Sequence, residues 1–279
     1  MKYELTDETI NYGGRTLYRI RALKNFFGVE KGDAGGYVEK TQNLSQKGNC
    51  WIYGNAKVWG NAKVYGNAEV YGDAKVYGNA EVYGYAEVCG NAKVWGNAEV
   101  WDNAQVWDNV QVCGAAKVWD NAKVYGNAEV YGDAKVYGNA QVWGNAEVWD
   151  NAQVYGYAKV YGNAEVWGNA QVWGNAEVWD NAQVYGYAKV YGNAEVWGNA
   201  KIQDNAVIKN KKDWFSGSNV GPENGALTVY KAEDGLMSTR GCFCGTIEEF
   251  LVKSKEVHDD KTHNEYKLLI EVAKSSILG

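Results

Sequence analysis

Proline is almost absent: Pro222 is the single one in 279 residues, against 34 glycines. That balance suits a turn-rich β architecture better than a helical one. No run of about eighteen apolar residues occurs, so no membrane-spanning helix is predicted. The N-terminal Met1-Lys2-Tyr3-Glu4-Leu5 lacks the apolar core of a secretory signal, and the expected location is cytoplasmic. A basic excess is missing too. Net charge is −6, whereas a phosphate-binding surface carries a positive surplus, so nucleic acid is not the expected partner. A disulfide framework is not expected either. The five cysteines, Cys50, Cys89, Cys113, Cys242 and Cys244, are odd in number and irregular in spacing, which fits reduced thiols. Aromatic residues are not scarce: at 14% of the chain they argue against disorder.

What is present is a repeat. From Ile52 to Ile208 an aliphatic residue recurs at every sixth position without a break, giving 27 consecutive units. Each reads small–polar–aliphatic–aromatic–turn–turn, as in Ala62-Lys63-Val64-Tyr65-Gly66-Asn67. Strand alternation sends the alanine and valine side chains to one side, and the Lys/Glu/Gln and Trp/Tyr side chains to the other. Gly-Asn, Gly-Asp and Asp-Asn supply the turn. One such unit cannot bury a face alone. Winding three into a triangular coil and stacking the coils gives every valine and alanine an interior.

This pattern resembles the hexapeptide-repeat left-handed parallel β-helix family, whose motif is aliphatic–x–x–x–small–x, with valine and alanine filling the two sites here. The resemblance covers residues 52–209. It implies the left-handed hand and a coil of three units, so that the 27 units make about nine regular coils with three faces. The expected fold is mainly β, a parallel β-helix over residues 38–209. It carries a small N-terminal β cap (1–37) and an α+β C-terminal cap (210–279). The layout also resembles uncharacterised hexapeptide-repeat proteins of phages and prophages of low-GC Gram-positive bacteria. The matching residues are Gly32-Asp33, Gly35-Gly36-Tyr37, Asn43-Leu44-Ser45 with Gly48-Asn49, Gly241-Cys242-Phe243, Gly245-Thr246 and Glu249-Phe250. That resemblance implies a mobile-element origin and a cytoplasmic setting in the host bacterium.

The termini follow their own patterns. Residues 2–6 and 16–23 alternate as strands about a turn at Asn11-Tyr12-Gly13-Gly14. The six-residue period is traceable at Val38 and Leu44, two residues out of phase with Ile52. Beyond Lys209 a strand is predicted at Ala226–Tyr230 and a turn at Glu233-Asp234-Gly235. Thr246 with Glu249 forms a capping box that starts one helix, and a second helix is predicted over Asn264–Leu278.

The outward slots carry the functional reading. The slot after each aliphatic holds eleven Trp, twelve Tyr and four departures, Cys89, Cys113, Gln203 and Lys209, so stacking the coils in register predicts aromatic ladders. Every third unit from Val58 gives the polar row Lys57, Lys75, Lys93, Gln111, Glu129, Glu147, Glu165. Its ring row is Trp59, Tyr77, Trp95, Cys113, Tyr131, Trp149, Trp167. Like charges stacked along one face repel, yet the row is charge-antisymmetric about Gln111. A second copy packed antiparallel would set each lysine against a glutamate in an isologous contact, with the small Cys113 on the axis. The expected state is therefore a homodimer through this face.

Repeat expansion counts against a finely placed active site. Residues 141–170 and 171–200 are identical, and 57–80 differ from 117–140 only at Gly60 versus Asp120, with offsets that are not multiples of eighteen. Acyltransferases, the commonest enzymes on the resembled fold, use a histidine base, but no histidine lies between residues 38 and 257. The related carbonic anhydrases need three histidine ligands, and only His258 and His263 exist. Those two with Cys242 and Cys244 do not have finger spacing. No cofactor or metal is expected. The leading reading is a non-catalytic scaffold that engages a protein, a host defence component included, or another copy of itself. Its alternatives are an acyltransferase-like enzyme, or glycan or single-strand nucleic-acid binding through exposed rings.

Overall fold

Valine and alanine dictate the architecture. In a computed structural model describing residues 1–279, the aliphatic and small positions of the repeat are fully buried, while the polar and aromatic positions beside them are half-exposed. The chain divides into two units, Met1–Asp150 and Asn151–Gly279. In each, the repeat is a parallel β-solenoid of three sheets, and each strand is two residues long.

In the first unit, one sheet carries Lys57, Lys75, Lys93, Gln111, Glu129 and Glu147 on consecutive strands. The second carries Trp51, Glu69, Glu87, Gln105, Lys123 and Gln141. The third carries Lys63, Glu81, Glu99, Lys117 and Lys135. Partners are eighteen residues apart, as Lys57↔Lys75 and Val58↔Val76 show. Alternate N–H groups bond to the next turn: Lys57 N to Ala74 O at 2.9 Å, Trp59 N to Val76 O at 3.1 Å, Asn61 N to Gly78 O at 2.7 Å.

The corners need a left-handed residue. Gly78 has φ +73°, and a Cβ there would come within 2.9 Å of the Gly96 backbone. Aspartate takes the same conformation at Asp108 and Asp120, with φ 63° and 59°. Each carboxylate accepts a backbone N–H of the next turn, from Gly126 at 3.2 Å and Gly138 at 3.1 Å, which offsets the strain. Asparagines link along the corners, as in Asn61–Asn79–Asn97.

The N-terminal hairpin, Tyr3–Tyr12 with Arg15–Ala22, is the expected β part and continues the first sheet. Strand Ala34–Val38 pairs antiparallel with Arg15–Ala22 on one side and parallel with Lys57–Val58 on the other, so the expected boundary at 37/38 falls inside a strand. Val38 pairs with Val58 and Leu44 with Val64. That first turn is thus two residues longer than the rest, which is the phase offset seen in the sequence. Asn43 completes it by donating to Ala62 O at 2.8 Å. Lys2 is buried and donates to Cys50 O at 2.7 Å.

In the second unit the sheets carry Gln153–Gln171–Lys189–Val207, Lys159–Glu177–Glu195 and Glu165–Gln183–Lys201. Its end is closed by an antiparallel sheet of Trp214–Val220, Gly225–Ala232, Gly235–Arg240 and Phe243–Thr246. Trp214 stands edge-on to Trp197 at 4.8 Å and donates its indole N–H to Glu195 O at 2.7 Å. Helix α1, Ile247–Val257, begins with the expected capping box between Thr246 and Glu249. Helix α2, Asp260–Leu278, starts four residues earlier than the sequence suggests, because Asp259 caps it through Thr262 N. Both pack on the sheet through Val220, Leu227, Phe250, Tyr266 and Ile270.

Candidate interaction face and its interrupted ladder

The rings of the first sheet stack face to face. Trp59 and Tyr77 have centroids 4.5 Å apart with planes 2° from parallel, and Tyr77 and Trp95 follow at 5.7 Å and 3°. Tyr131 and Trp149 stack at 5.6 Å and 1°. The third sheet does the same through Tyr65, Tyr83, Trp101, Trp119 and Tyr137. A ring stacked on both sides has no free face, so within a continuous ladder only ring edges meet solvent. This weighs against generic base or sugar stacking along the ladders, which needs an open ring face.

At Cys113 the first ladder is broken. Trp95 lies one strand before it and Tyr131 one strand after, and each stacks only on its outer neighbour. The unit departs from the pattern in three places: Val110 replaces the small residue inside, Cys113 replaces the ring, and Ala115 replaces the corner asparagine. Gly114 is exposed. The asparagine row therefore ends at Asn97, which accepts from Asn79 at 3.0 Å and has no partner for its own amide N–H at Ala115. Burial pushes the Cys113 thiol up, and the charge of Glu129 adds to it.

The polar row is unevenly satisfied. Lys57 and Lys75 stand 5.5 and 5.6 Å from the centre of the Tyr12 ring at the hairpin tip. Tyr12 also packs edge-on against Trp59 at 5.3 Å. The chain thus covers the Lys57 end of its own face, a contact the sequence did not reveal. Lys93 has no ion pair. Gln111 donates to Glu129, and Tyr131 donates to Glu147 at 3.1 Å. Glu165 and Trp167 belong to the second unit, where Glu165 accepts from Gln183 at 3.2 Å and Trp167 stacks on Tyr185 at 4.2 Å. Like charges also neighbour each other elsewhere, as at Glu81 and Glu99 or Lys117 and Lys135, but there lysines reach a carboxylate: Lys63 pairs with Glu81 at 2.9 Å, Lys117 with Glu99 at 2.9 Å and Lys159 with Glu177 at 2.8 Å. No lysine of the Lys57–Lys75–Lys93 run pairs with a carboxylate in this way.

A second regularity ties rings to charges. Tyr53, Tyr65, Tyr71, Tyr83, Tyr131 and Tyr161 each have a glutamate sixteen residues on, and each phenol donates to it. The next turn brings that carboxylate beside the hydroxyl. Burial, with the neighbouring glutamate, pushes Tyr53, Tyr83 and Tyr161 up to about 12.

The remaining candidate groups do not converge. Cys244 donates to Asp204 Oδ2 at 2.9 Å, and burial pushes its thiol up to about 11. His263 Nδ1 lies 3.2 Å from Ser254 Oγ. No group of three or more His, Cys, Asp or Glu side chains is placed to hold a metal ion. The sequence reading also overlooked three tyrosines. Tyr85, Tyr157 and Tyr187 occupy corner positions and are the most exposed rings of the repeat, at 61%, 64% and 63%. Their signal was a ring in the slot where Asn or Asp belongs. Beside Tyr85 runs an open groove of about 490 Å³ lined by Asp102, Asn103, Asp120 and Asn121.

No helix is long and apolar enough to cross a membrane. Comparison with known protein families finds no matching family, and comparison with characterised proteins finds no match.

Proposed function

We propose that the protein is a non-catalytic interaction scaffold whose contact surface is the first-sheet face centred on Cys113. The observation that carries this reading is the contrast between faces. In the third sheet Lys63 and Lys117 pair with Glu81 and Glu99, whereas this face stacks Lys57, Lys75 and Lys93, none of them paired with a carboxylate, on one side of Gln111 and Glu129 and Glu147 on the other. A partner with the reverse charge order relieves that repulsion. A second copy laid antiparallel has this order, with Lys75 facing Glu147 and Lys93 facing Glu129; a host protein with a matching charge pattern meets the same need. Valine and alanine at the motif sites, and the Gly-Gly-Tyr and Asn-Leu-Ser signatures near the start, support a left-handed hexapeptide-repeat protein of phage or prophage origin working in the bacterial cytoplasm.

Light scattering tests the pairing. The wild type has the mass of a dimer, Lys75→Glu and Glu147→Lys each fall to monomer, and an equal mixture of the two regains dimer because the reversed charges again face each other. A wild-type monomer, or a mixture no better than its components, sinks self-pairing. In that case the face is left to a partner protein, whose retention must then be lost in the same two variants.

A further inference from the structure

We propose that the gap at Cys113 is a binding slot for one planar aromatic side chain, tryptophan or tyrosine, presented by a partner protein. The inference rests on reading this face as a contact surface and names what enters it. The ladder supplies the geometry. Its rings are nearly parallel and repeat once per strand, at the spacing of about 4.8 Å set by the sheet. Omitting one ring leaves Trp95 and Tyr131 facing each other across two strand spacings. A single inserted ring restores the ladder's own spacing on both sides, like the 4.5 and 5.7 Å between centroids in Trp59–Tyr77–Trp95. The floor is the small half-buried Cys113, and the mouth is clear because Gly114 and Ala115 have little or no side chain.

The other missing ring is not equivalent. At Cys89 the preceding Tyr71 hydroxyl donates to Glu87 at 3.0 Å and also interacts with the thiol, so the chain's own polar group borders that gap. No such contact bridges Cys113.

The rim selects the kind of ring. Asn97 ends its row with an unused amide N–H, a donor suited to a main-chain carbonyl beside the inserted side chain. Lys93, the end of the Lys57–Lys75–Lys93 run, stands on one side and the Glu129 carboxylate on the other, so a phosphate at the rim meets one charge of each sign. An aromatic residue within a peptide meets all of these features.

The test uses the full chain and three probes, N-acetyl-tryptophanamide, N-acetyl-leucinamide and adenosine monophosphate, followed by saturation-transfer NMR. Cys113→Trp fills the slot from within, and Cys113→Ala keeps it open. At protein concentrations low enough to leave the face unpaired, wild type and Cys113→Ala transfer saturation to the indole of the tryptophan amide. Cys113→Trp weakens that binding at least about tenfold, the factor that about 1.4 kcal/mol of stacking on two faces represents. Circular dichroism checks that it remains folded. Equal transfer to the tryptophan amide in Cys113→Trp, no transfer in wild type, or a stronger response to adenosine monophosphate each overturns the proposal. So does a dimer abolished by Cys113→Trp with no indole response in wild type, which assigns the gap to a second copy. Failure of the charge-reversal pairing alongside a Cys113-dependent indole signal leaves the slot standing without self-pairing. The converse removes the slot and leaves the interacting face.

Discussion

Removing the Tyr12 ring tests how the chain covers its own face. Tyr12→Ala deletes an edge contact with Trp59 at 5.3 Å and the ring beneath Lys57 and Lys75 at 5.5 and 5.6 Å. An aromatic pair contributes about 0.5–1.5 kcal/mol, and an exposed cation over a ring about 0.5–1 kcal/mol. The tip of the hairpin should lose roughly 1.5–3.5 kcal/mol of local stability. The loss should stay at the tip, because the pairing is interrupted by an irregularity between Leu5 and Thr9. Below that break the hairpin is held by Tyr3 and Ile20, both fully buried. Hydrogen exchange at single-residue resolution is the assay. Amides from Thr9 to Leu17 should exchange about ten- to three-hundredfold faster, a factor of ten per 1.4 kcal/mol, while Tyr3 and Ala22 keep their protection. Tyr12→Phe should behave as wild type. Unchanged exchange at the tip means the three contacts contribute nothing measurable. Loosening that reaches Ala22 means the hairpin is one cooperative unit and the ring does more than clamp its end.

The other expectations concern corners, tyrosines and the buried lysine. Asp120→Ala loses the bond to Gly138 N at 3.1 Å and keeps a left-handed residue, so it should destabilise by about 1–2 kcal/mol, whereas Asp120→Gly should stay within about 0.5 kcal/mol of wild type because glycine removes the strain; equal effects in chemical unfolding would show that φ is not the issue. Tyr53, Tyr83 and Tyr161 have folded pKa values raised from 10.0 to about 12, so the folded state favours the neutral phenol. Their contribution to stability is whole below pH 10 and is lost as pH rises from there through about 12. Tyrosinate absorbance from the ladders should therefore appear together with loss of the β circular-dichroism signal, and ladder titration near 10 with that signal intact would refute the burial argument. Lys2→Met leaves Cys50 O, now bonded at 2.7 Å, without its donor in a buried site, and should lower stability by about 1–3 kcal/mol in thermal unfolding; no change would mean that the carbonyl finds another partner.

Much of this molecule is legible in the sequence because the sequence has so few solutions. A valine every six residues with alanine two before it can be buried only by coiling, and the offset of Val38 and Leu44 appears directly as a longer first turn. The capping box at Thr246 also reads through, since it is local. Strand Trp214–Val220 does not, because Ser216 and Gly217 have no strand preference and are held extended by pairing with Thr228 and Leu227, while Ser218 and Asn219 form an irregularity with Asn219 at φ 56°. The start of α2 was misplaced because apolar spacing locates a helix face, while its first turn is set by the polar cap Asp259. The ladder and the polar row followed from period and alternation. The cover of Tyr12 over Lys57 did not, because nothing local tells a hairpin tip which ring it will meet.

Near-identical sequence placed on different sheets shows where specificity can reside. Residues 57–80 and 117–140 differ at one position, yet Lys57 lies next to Lys75 in the first sheet and Lys117 pairs with Glu99 at 2.9 Å in the third. Trp59 meets Tyr77 and Tyr12, whereas Trp119 is stacked between Trp101 and Tyr137. The same six-residue unit therefore has no fixed surroundings: a six-residue repeat on an eighteen-residue turn gives each copy the neighbours its position supplies. Ring will stack on ring in any such arrangement, so the ladders tolerate expansion and carry little information. Information remains only where a unit departs from the pattern and its departures coincide in space. Val110, Cys113 and Ala115 are such a set: volume moves from the outside of one unit to its inside, and the first sheet is left with an opening between Trp95 and Tyr131.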